Sequence, residues 1–316
     1  MSPRRGAASL SQLRLLDAAE VNPASSLCQR WSGGTHSWRR RRDGGFDRSL
    51  YAAYRLDKQV AKAFVERHHY LHSFVAERLS WGLFQGEELV GVAVFGVPSH
   101  PAVLTNVFPD LEPYTTTLVL SRFVLLDKVP ANGETWFLGQ VFRAAADQGL
   151  RGVVSFADPV MRRAADGRVV IPGHRGTIYA AKGSTPIGRT DPSVVLVLPD
   201  GTSLDRRALS KVRGDQCGHD YVERRLAGFG VAARRRGESG EAYLHRALVE
   251  AGVVALRHGG CYRYAFRLGR TRAERAAVRI GLPATAYPKT IDETSWQMAS
   301  RLAEPSSCGC DTPTLL

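Results

Sequence analysis

The chain has 316 residues, 44% of them hydrophobic and 23% charged, which is typical of a globular protein with one large domain or two small ones. A net charge of +13 favours a polyanionic partner such as a nucleic acid. No apolar run approaches the roughly 20 residues that span a bilayer, and no apolar core follows the first arginines, so the sequence predicts no membrane association and a cytoplasmic location.

The positive charge is unevenly distributed along the chain. Residues 1–50 have a balance of +5 and residues 201–282 one of +9, whereas residues 51–200 have a balance of only +1. A codon preference for arginine could supply part of the surplus, but it does not explain why the surplus avoids the middle. The pattern predicts a central region that performs chemistry between flanks that hold a polyanion.

The first 48 residues are predicted to be a basic, disordered arm, because they lack sustained periodicity and end near four consecutive arginines. Beyond them, hydrophobic periodicity predicts a mixed α/β fold. Its first elements are a helix over 57–70 with Asp57 as the N-cap, a hairpin of 79–85 and 89–97, a strand over 115–127, a helix over 132–148 and a strand over 152–156.

The second half of the chain is predicted to be more helical and more basic. Its elements are a short helix opened by residues 173–179, a strand over 193–198, interrupted helices over 205–251, a strand over 261–268 and a helix over 270–280. The predicted domains are a core over 49–214, a helical insertion over 215–252, a returning strand and basic helix over 253–282 that complete the core, and a tail over 283–316.

Metal binding is not expected. The five cysteines are Cys28, Cys217, Cys261, Cys308 and Cys310. None forms the C-x-x-C pair of a structural zinc site. His68 and His72 have the i, i+4 spacing that a metal could use, but hydrogen bonding at a helix end is the commoner role of such imidazoles.

Six short motifs follow one another between residues 55 and 215. They are FVERHHY at 64–70, LTNVFP at 104–109, LSRFVL at 120–125, NGETWF at 132–137, VSFADP at 154–159 and GHRGTIY at 173–179. Their order and spacing resemble the Mom family of phage DNA-modification proteins, which is similar to the Gcn5-related N-acyltransferases. The resemblance implies a mixed central sheet with helices on both faces, followed by a basic helical C-terminal extension.

Mom proteins convert the exocyclic N6 amine of adenine to an acetamido (carbamoylmethyl) derivative that protects phage DNA from restriction. The resemblance therefore implies an enzyme with DNA as its partner, in the host bacterial cytoplasm if a phage encodes it. Because adenine N6 is paired inside a duplex, the target base must be flipped out or single-stranded. Neither the oligomeric state nor the DNA sequence context follows from the chain.

The donor stays open. Acyltransferases of the related fold hold the coenzyme A pyrophosphate on a Q/R-x-x-G-x-G/A turn after the central strand. The corresponding segment, residues 128–134, lacks this pattern and ends in Glu134, whose charge would repel a pyrophosphate. Two donors remain. One is acetyl-CoA bound through a different pyrophosphate-binding site, and the other is a glycyl group carried on tRNA, which would add tRNA to the partners.

Four residues are candidates for catalysis. Asp158 follows a buried strand and precedes a proline, and the resemblance suggests it as the general base or N6 acceptor, although a lone Asp-Pro is usually a turn. Tyr179 is a candidate donor to the leaving group or a stacking partner of the base, against simple core packing. Ser121 and Arg122 lie within a strand, where an arginine needs a partner: a phosphate, the donor carbonyl, Asp158 or a structural ion pair.

The remaining candidates bind substrate or DNA. The substrate-binding candidates are His68, His69, Tyr70, Asn106, Glu134, His174 and Gly176. Phosphate contacts are expected from the arginine-rich flanks, chiefly Arg39, Arg40, Arg41, Arg42, Arg206, Arg207, Lys211 and Arg213. Arg263 and Arg267 extend this basic set. Such binding should weaken steeply with salt.

Two other functions compete with DNA modification. One is an N-acyltransferase acting on a protein or a small amine, for which the basic surface would be incidental. The other is a DNA-binding regulator without catalysis, which is disfavoured because no helix-turn-helix or zinc-finger pattern is present and the polar motifs lie in the neutral region.

Overall fold

The computed structural model describes residues 27–289 and 298–301. The chain forms two compact units. The first unit comprises Met1–Met161, Ile171–Asp191 and Gly260–Asp292, and the second comprises Arg162–Val170, Pro192–Gly259 and Glu293–Leu316. Within the described residues, no helix has the length and apolar character needed to cross a membrane.

A seven-stranded sheet forms the centre of the first unit, with the order β10-β14-β7-β6-β5-β4-β3. Its strands are β3 (Tyr51–Arg55), β4 (Glu77–Gln85), β5 (Glu88–Gly96), β6 (Thr117–Leu125), β7 (Gly152–Ala157), β10 (Thr185–Arg189) and β14 (Tyr262–Arg267). All neighbours are antiparallel except β6 and β7, which are parallel. The mixed α/β sheet expected from the sequence is therefore confirmed.

Helices cover both faces of this sheet. They are α1 (Lys58–His68), α2 (Ala102–Thr105), α3 (Gly133–Asp147), α4 (Thr177–Ala181) and α8 (Arg272–Ala277). Phe137 and Val141 of α3 pack with Phe95 of β5 on one face, whereas Phe64 of α1 packs with Val94 on the other. Asp57 caps α1 as expected, since its carboxylate accepts the backbone N–H of Gln59 at 2.7 Å.

The two parallel strands separate toward their C-terminal ends. Their pairing runs from Thr117 opposite Gly152 to Leu120 opposite Ser155. From there β6 continues to Leu125 and pairs only with β5. A gap consequently opens between β6 and β7, and side chains on both sides of it can face one space.

The first described residues form an ordered hairpin, not the predicted disordered arm. Strand β1 (Leu27–Ser32) pairs with β2 (Thr35–Arg40). The turn is Gly33-Gly34, with φ of 55° and 76°, which are values that glycine adopts without strain. Trp31 is 5% exposed and packs in the cluster of α1. Residues 1–26 of the predicted arm lie outside the described residues.

Among its described residues, the second unit contains a four-stranded sheet of order β12-β11-β13-β15 and three helices. Its elements are β11 (Ser193–Val197), β12 (Ser203–Leu204), β13 (Val254–His258), β15 (Met298–Arg301), α5 (Arg206–Arg213), α6 (Asp220–Ala227) and α7 (Gly240–Glu250). A separate two-stranded sheet joins β8 (Arg162–Arg163) and β9 (Val169–Ile171).

The predicted domain boundaries differ from these units. The helical insertion was placed at 215–252, but the second unit begins again at Pro192 and includes β11, because β11 pairs with β13 and not with the large sheet. Only β14 and α8 of the predicted segment 253–282 belong to the first unit. Of the predicted tail, residues 283–289 are described, and Tyr287 stacks on Tyr264 of β14 at 6.1 Å.

Candidate functional site

A cavity of roughly 430 Å³ opens in the first unit where β6 and β7 separate. Its volume is in the range of small-molecule and cofactor sites. Five segments of the first unit contribute lining side chains. They are the β1–β2 hairpin, the residues after α1, the end of β6, the end of β7 and the loop before α4. Among the predicted site residues, those lining the cavity are His69, Tyr70, Ser121, Arg122, Glu134, Asp158, His174 and Tyr179.

One wall of the cavity is aromatic. The Tyr70 ring stacks on His69 at a centroid distance of 4.2 Å and lies 4.9 Å from Trp31. Trp38 of β2 also lines the cavity, and its indole N–H is buried with no hydrogen-bond partner among the described residues. This wall offers flat apolar faces together with an unused donor, which suits a planar heterocycle.

His69 is held as a neutral imidazole. It is 6% exposed, and burial lowers its pKa well below the usual range, with further lowering by the charge of Arg122. Its Nδ1 accepts the backbone N–H of Leu71 at 3.1 Å. This hydrogen bond assigns the proton of the neutral ring to Nε2, so His69 is a hydrogen-bond donor at that atom.

Arg122 is anchored next to these rings by backbone and side-chain oxygens. Its guanidinium donates to the carbonyls of Ser73 at 3.2 Å and Ser121 at 2.8 Å. Burial lowers its pKa, and Tyr70 opposes that shift. Ser121 uses its hydroxyl to donate to the Val119 carbonyl at 3.2 Å. Arg122 therefore contributes a partly desolvated positive charge, while Ser121 mainly shapes the strand.

Asp158 ends β7 and is joined to the loop that carries His174. Its carboxylate accepts the N–H of Val160 at 2.9 Å, and its carbonyl accepts the N–H of His174 at 2.7 Å. Burial lowers the pKa of His174, and the charge of Asp158 partly offsets this. Gly173 allows the close approach, because a Cβ there would lie 2.6 Å from the Pro159 carbonyl.

Tyr179 is a buried hydroxyl donor. It is 5% exposed, and its ring lies 6.4 Å from His174 and 5.3 Å from Tyr264. Burial raises the pKa of Tyr179, and Tyr70 raises it further, so the phenol stays protonated near neutral pH. Gly176 does not line the cavity but positions this ring, since a Cβ at its φ of 75° would lie 2.7 Å from Tyr179.

Glu134 differs most from its predicted role. It is 3% exposed and pairs at 2.5 Å with Arg30, which is 0% exposed. Arg30 also donates to the carbonyls of Val129 and Pro130 at 2.8 and 2.7 Å. The carboxylate therefore neutralises an internal arginine, and its primary role is in the fold.

The contacts of Arg30 with Glu134, Val129 and Pro130 also determine whether a coenzyme A pyrophosphate fits the β6–α3 turn. Such a group needs inward-facing backbone N–H donors. In this turn the carbonyls of Val129 and Pro130 point to the Arg30 guanidinium, and Glu134 occupies its other side. The residues present do not fit a pyrophosphate at this position.

Two predicted substrate-binding residues lie elsewhere. His68 does not line the cavity: its Nδ1 accepts the N–H of Gly33, and its ring packs on Phe64 at 4.7 Å, so it holds the hairpin turn against α1. Asn106 is exposed at the C-terminal end of α2 and is not a lining residue either. His69 and Tyr70, which follow His68 in the same motif, do line the cavity. The sequence alone does not distinguish a residue that lines the cavity from a neighbour that supports the fold.

The predicted phosphate-binding residues occupy both units. Arg39 is ion-paired with Asp127 at 2.8 Å, and both side chains are half-exposed. Arg40 and Arg42 are exposed, and the side chain of Arg41 lies outside the described residues. The others are on α5 of the second unit, where Arg206 and Arg207 are exposed and Lys211 and Arg213 half-buried.

Three residues of the hairpin have roles that the sequence did not predict. Trp31 and Trp38 line the cavity, and Arg30 pairs with Glu134. A signal for them exists: the Gly33-Gly34 pair lies between two Trp-containing segments of strand-like residues, which is a hairpin signature. The four following arginines obscured it, because a charge run is typical of disordered arms.

The model of the Mom protein family matches residues 51–289 of the chain. No curated protein matches it. The chain is similar to a GNAT family acetyltransferase from Elizabethkingia anophelis that was solved with acetyl-CoA bound. The two are 10% identical with a TM-score of 0.26, and the matched region spans 46% of this chain and 81% of the acetyltransferase. It is also similar to a tandem GNAT protein from the clavulanic acid biosynthesis pathway that was solved without AcCoA. These two are 9% identical with a TM-score of 0.31, and the matched region spans 70% of this chain and 75% of the tandem protein. Scores this low support no conclusion about the site.

Proposed function

The chain belongs to the Mom protein family, and from this premise we propose that it is a transferase that attaches an acetamido (carbamoylmethyl) group to N6 of adenine in DNA. The observation that carries the proposal is the cavity between β6 and β7. It combines an aromatic wall for a planar base with the carboxylate of Asp158 and the buried uncharged donors of His69 and Tyr179.

The base fits against the aromatic wall. Stacking on Tyr70 and Trp31 would offset the loss of stacking when adenine leaves a helix. The indole ring of Trp38 adds a further aromatic face to this wall. This arrangement directs the exocyclic amine toward Asp158, which lies at the end of β7 on the far side of the gap.

The transfer needs one proton acceptor and at least one donor, because the N6 lone pair is delocalised and the amine is a weak nucleophile. As N6 attacks the ester carbonyl of a glycyl donor, Asp158 accepts the N6 proton and the ester C–O bond to the tRNA breaks. The adduct is an N6-glycyl adenine, which has the same atoms as the carbamoylmethyl derivative and reaches it by a subsequent isomerisation. The Nε2–H of His69 and the Arg122 guanidinium donate to the oxygen of the electrophile, where negative charge develops. Tyr179, protonated because of its burial, supplies the proton to the departing group.

The donor is constrained by the β6–α3 turn. Arg30 and Glu134 occupy the turn at which related acyltransferases bind the pyrophosphate of coenzyme A. Acetyl-CoA would therefore need another phosphate-binding site on this chain. An aminoacyl group such as glycine on tRNA does not need that grip and agrees with the positive charge of the chain. We favour this donor class for the proposed reaction, with a cytoplasmic location and either flipped or single-stranded DNA as the acceptor.

The proposal predicts that DNA from cells expressing the protein resists restriction enzymes whose sites contain adenine. Replacing Asp158 with Asn keeps the shape but removes the proton acceptor, and should reduce modification by about 10²–10⁴-fold. Tyr179→Phe should reduce it as well, whereas Tyr54→Phe, an exposed tyrosine of β3, should not. Full protection by both site variants would exclude Asp158 and Tyr179 from the chemistry.

A further inference from the structure

A second concave surface of the first unit runs along α3, beside the end of α4. Two adjoining hollows share Gly139, Arg143 and Lys182 and form one continuous groove. We call it the α3–α8 groove. Its cationic side chains are Arg48, Arg143, Lys182, Arg267, Arg272 and Arg275.

Among the residues that the structure describes, no carboxylate lines the α3–α8 groove. Arg143 and Arg272 are exposed, and within the described part of the chain neither forms an ion pair. Lys182 lies over α3 because Gly139 has no side chain, a Cβ there being 2.8 Å from the lysine Nζ. Burial lowers the pKa of Lys182, and the neighbouring Arg143 lowers it further, so two cations are held together without a counter-charge.

The two arginines that flank α8 in the sequence are neutralised. Arg270 pairs with Asp147 at 2.6 Å, and Arg279 pairs with Asp110 at 2.7 Å. Like charges placed side by side are unfavourable unless an anion binds between them. The α3–α8 groove therefore has the electrostatic character of an anion site extended over several side chains.

The groove adjoins the cavity through α4. Thr177 and Tyr179 line the cavity, and Lys182, directly after the helix, lines the groove. At a rise of 1.5 Å per residue, Thr177 and Lys182 are about 8 Å apart along the helix. A single strand has a phosphate about every 3.4 Å of duplex axis, so this separation corresponds to roughly two phosphate spacings from a nucleotide in the cavity.

We propose that the α3–α8 groove binds the phosphodiester groups of the DNA strand whose adenine enters the cavity. This inference rests on the proposed function, because every version of the reaction brings DNA to the cavity, whereas tRNA is needed for only one donor. Two of the groove cations, Arg143 and Lys182, come from the nearly neutral stretch 51–200, and the other four come from the two basic flanks.

The test is binding of a fluorescent single-stranded oligodeoxynucleotide containing adenine to the full chain, measured over a salt series, with tRNA as a parallel ligand. The variant Arg143→Gln with Arg272→Gln should bind the DNA several-fold more weakly. The slope of log affinity against log salt should fall by about 1.4, since each phosphate contact in a single strand contributes about 0.7. Arg143→Lys with Arg272→Lys should keep most of the binding.

The matched control is Lys58→Gln with Arg78→Gln. These exposed cations lie on α1 and β4, and α1 packs on the sheet face opposite α3, so the control should leave DNA binding unchanged. Equal loss in the control, unchanged DNA binding in the groove variant, or a loss confined to tRNA would each overturn the inference. Because binding is measured without turnover, a missing modification activity would contradict the proposed function and leave this result standing.

Discussion

At the scale of single residues, four histidines of the first unit have their charge suppressed by their surroundings. Burial lowers the pKa of His36, His68, His69 and His174 in the folded chain. After unfolding, each returns to its ordinary value near 6.5. Below about pH 6.5 the unfolded chain therefore binds protons that the folded chain does not, and stability decreases as the pH falls.

We expect the melting temperature to fall between about pH 7.5 and about pH 5.5, with the stability contribution of neutral His69 fully present only above about pH 6.5. His69→Gln should show a smaller fall, because it removes the most strongly shifted of these groups. His245→Gln, an exposed position of α7, should behave as the wild type. Identical pH dependence in wild type and His69→Gln, measured by thermal denaturation, would contradict the assignment.

The site residues differed in how far their roles could be predicted. Asp158 and Tyr179 were predicted to face the substrate, and both line the cavity. Glu134 was misassigned because its partner Arg30 is 104 residues away, a distance in sequence that no local pattern conveys. His68 and His69 are adjacent in one motif, yet only His69 lines the cavity, because α1 ends between them.

At the scale of elements, the β1–β2 hairpin is fastened to the β6–α3 turn by the buried pair of Arg30 and Glu134. Removing one partner leaves the other charge buried and unpaired, so Arg30→Met should reduce the free energy of unfolding by about 3–5 kcal/mol. Arg30→Met with Glu134→Met should regain part of this loss. The recovery is incomplete because the carbonyls of Val129 and Pro130 still lose their donor.

Urea denaturation measures these differences, and Arg39→Gln is the matched control. Its pair with Asp127 is half-exposed and should contribute at most about 1 kcal/mol. An Arg30→Met variant as stable as Arg39→Gln would show that the buried pair does not hold the hairpin.

Elements with strong periodicity were predicted closely, such as α1, α3 and β5. The hairpin was not, because its arginines resemble a disordered arm and its packing depends on α1. The assignment of β11 to the core also failed: a short apolar strand has no local feature that identifies its neighbours, and here β13 and not the large sheet pairs with it.

At the scale of the whole molecule, net charge along the sequence and charge in space differ. Residues 51–200 have a balance of only +1, so their charge along the sequence is nearly neutral. In the first unit, Arg143 and Lys182 of this region meet Arg272 in the α3–α8 groove, while its acids lie elsewhere. Local charge balance therefore underestimates a surface that the fold assembles from distant segments.

The central claim is that this chain modifies adenine in DNA, and nucleoside mass spectrometry of DNA from expressing cells tests it most directly. We expect a deoxyadenosine heavier by one carbamoylmethyl group in cells with the wild-type chain, and only unmodified deoxyadenosine in cells with an equally abundant Asp158→Asn variant. Unmodified deoxyadenosine in both, with the wild-type chain folded and soluble, would contradict it.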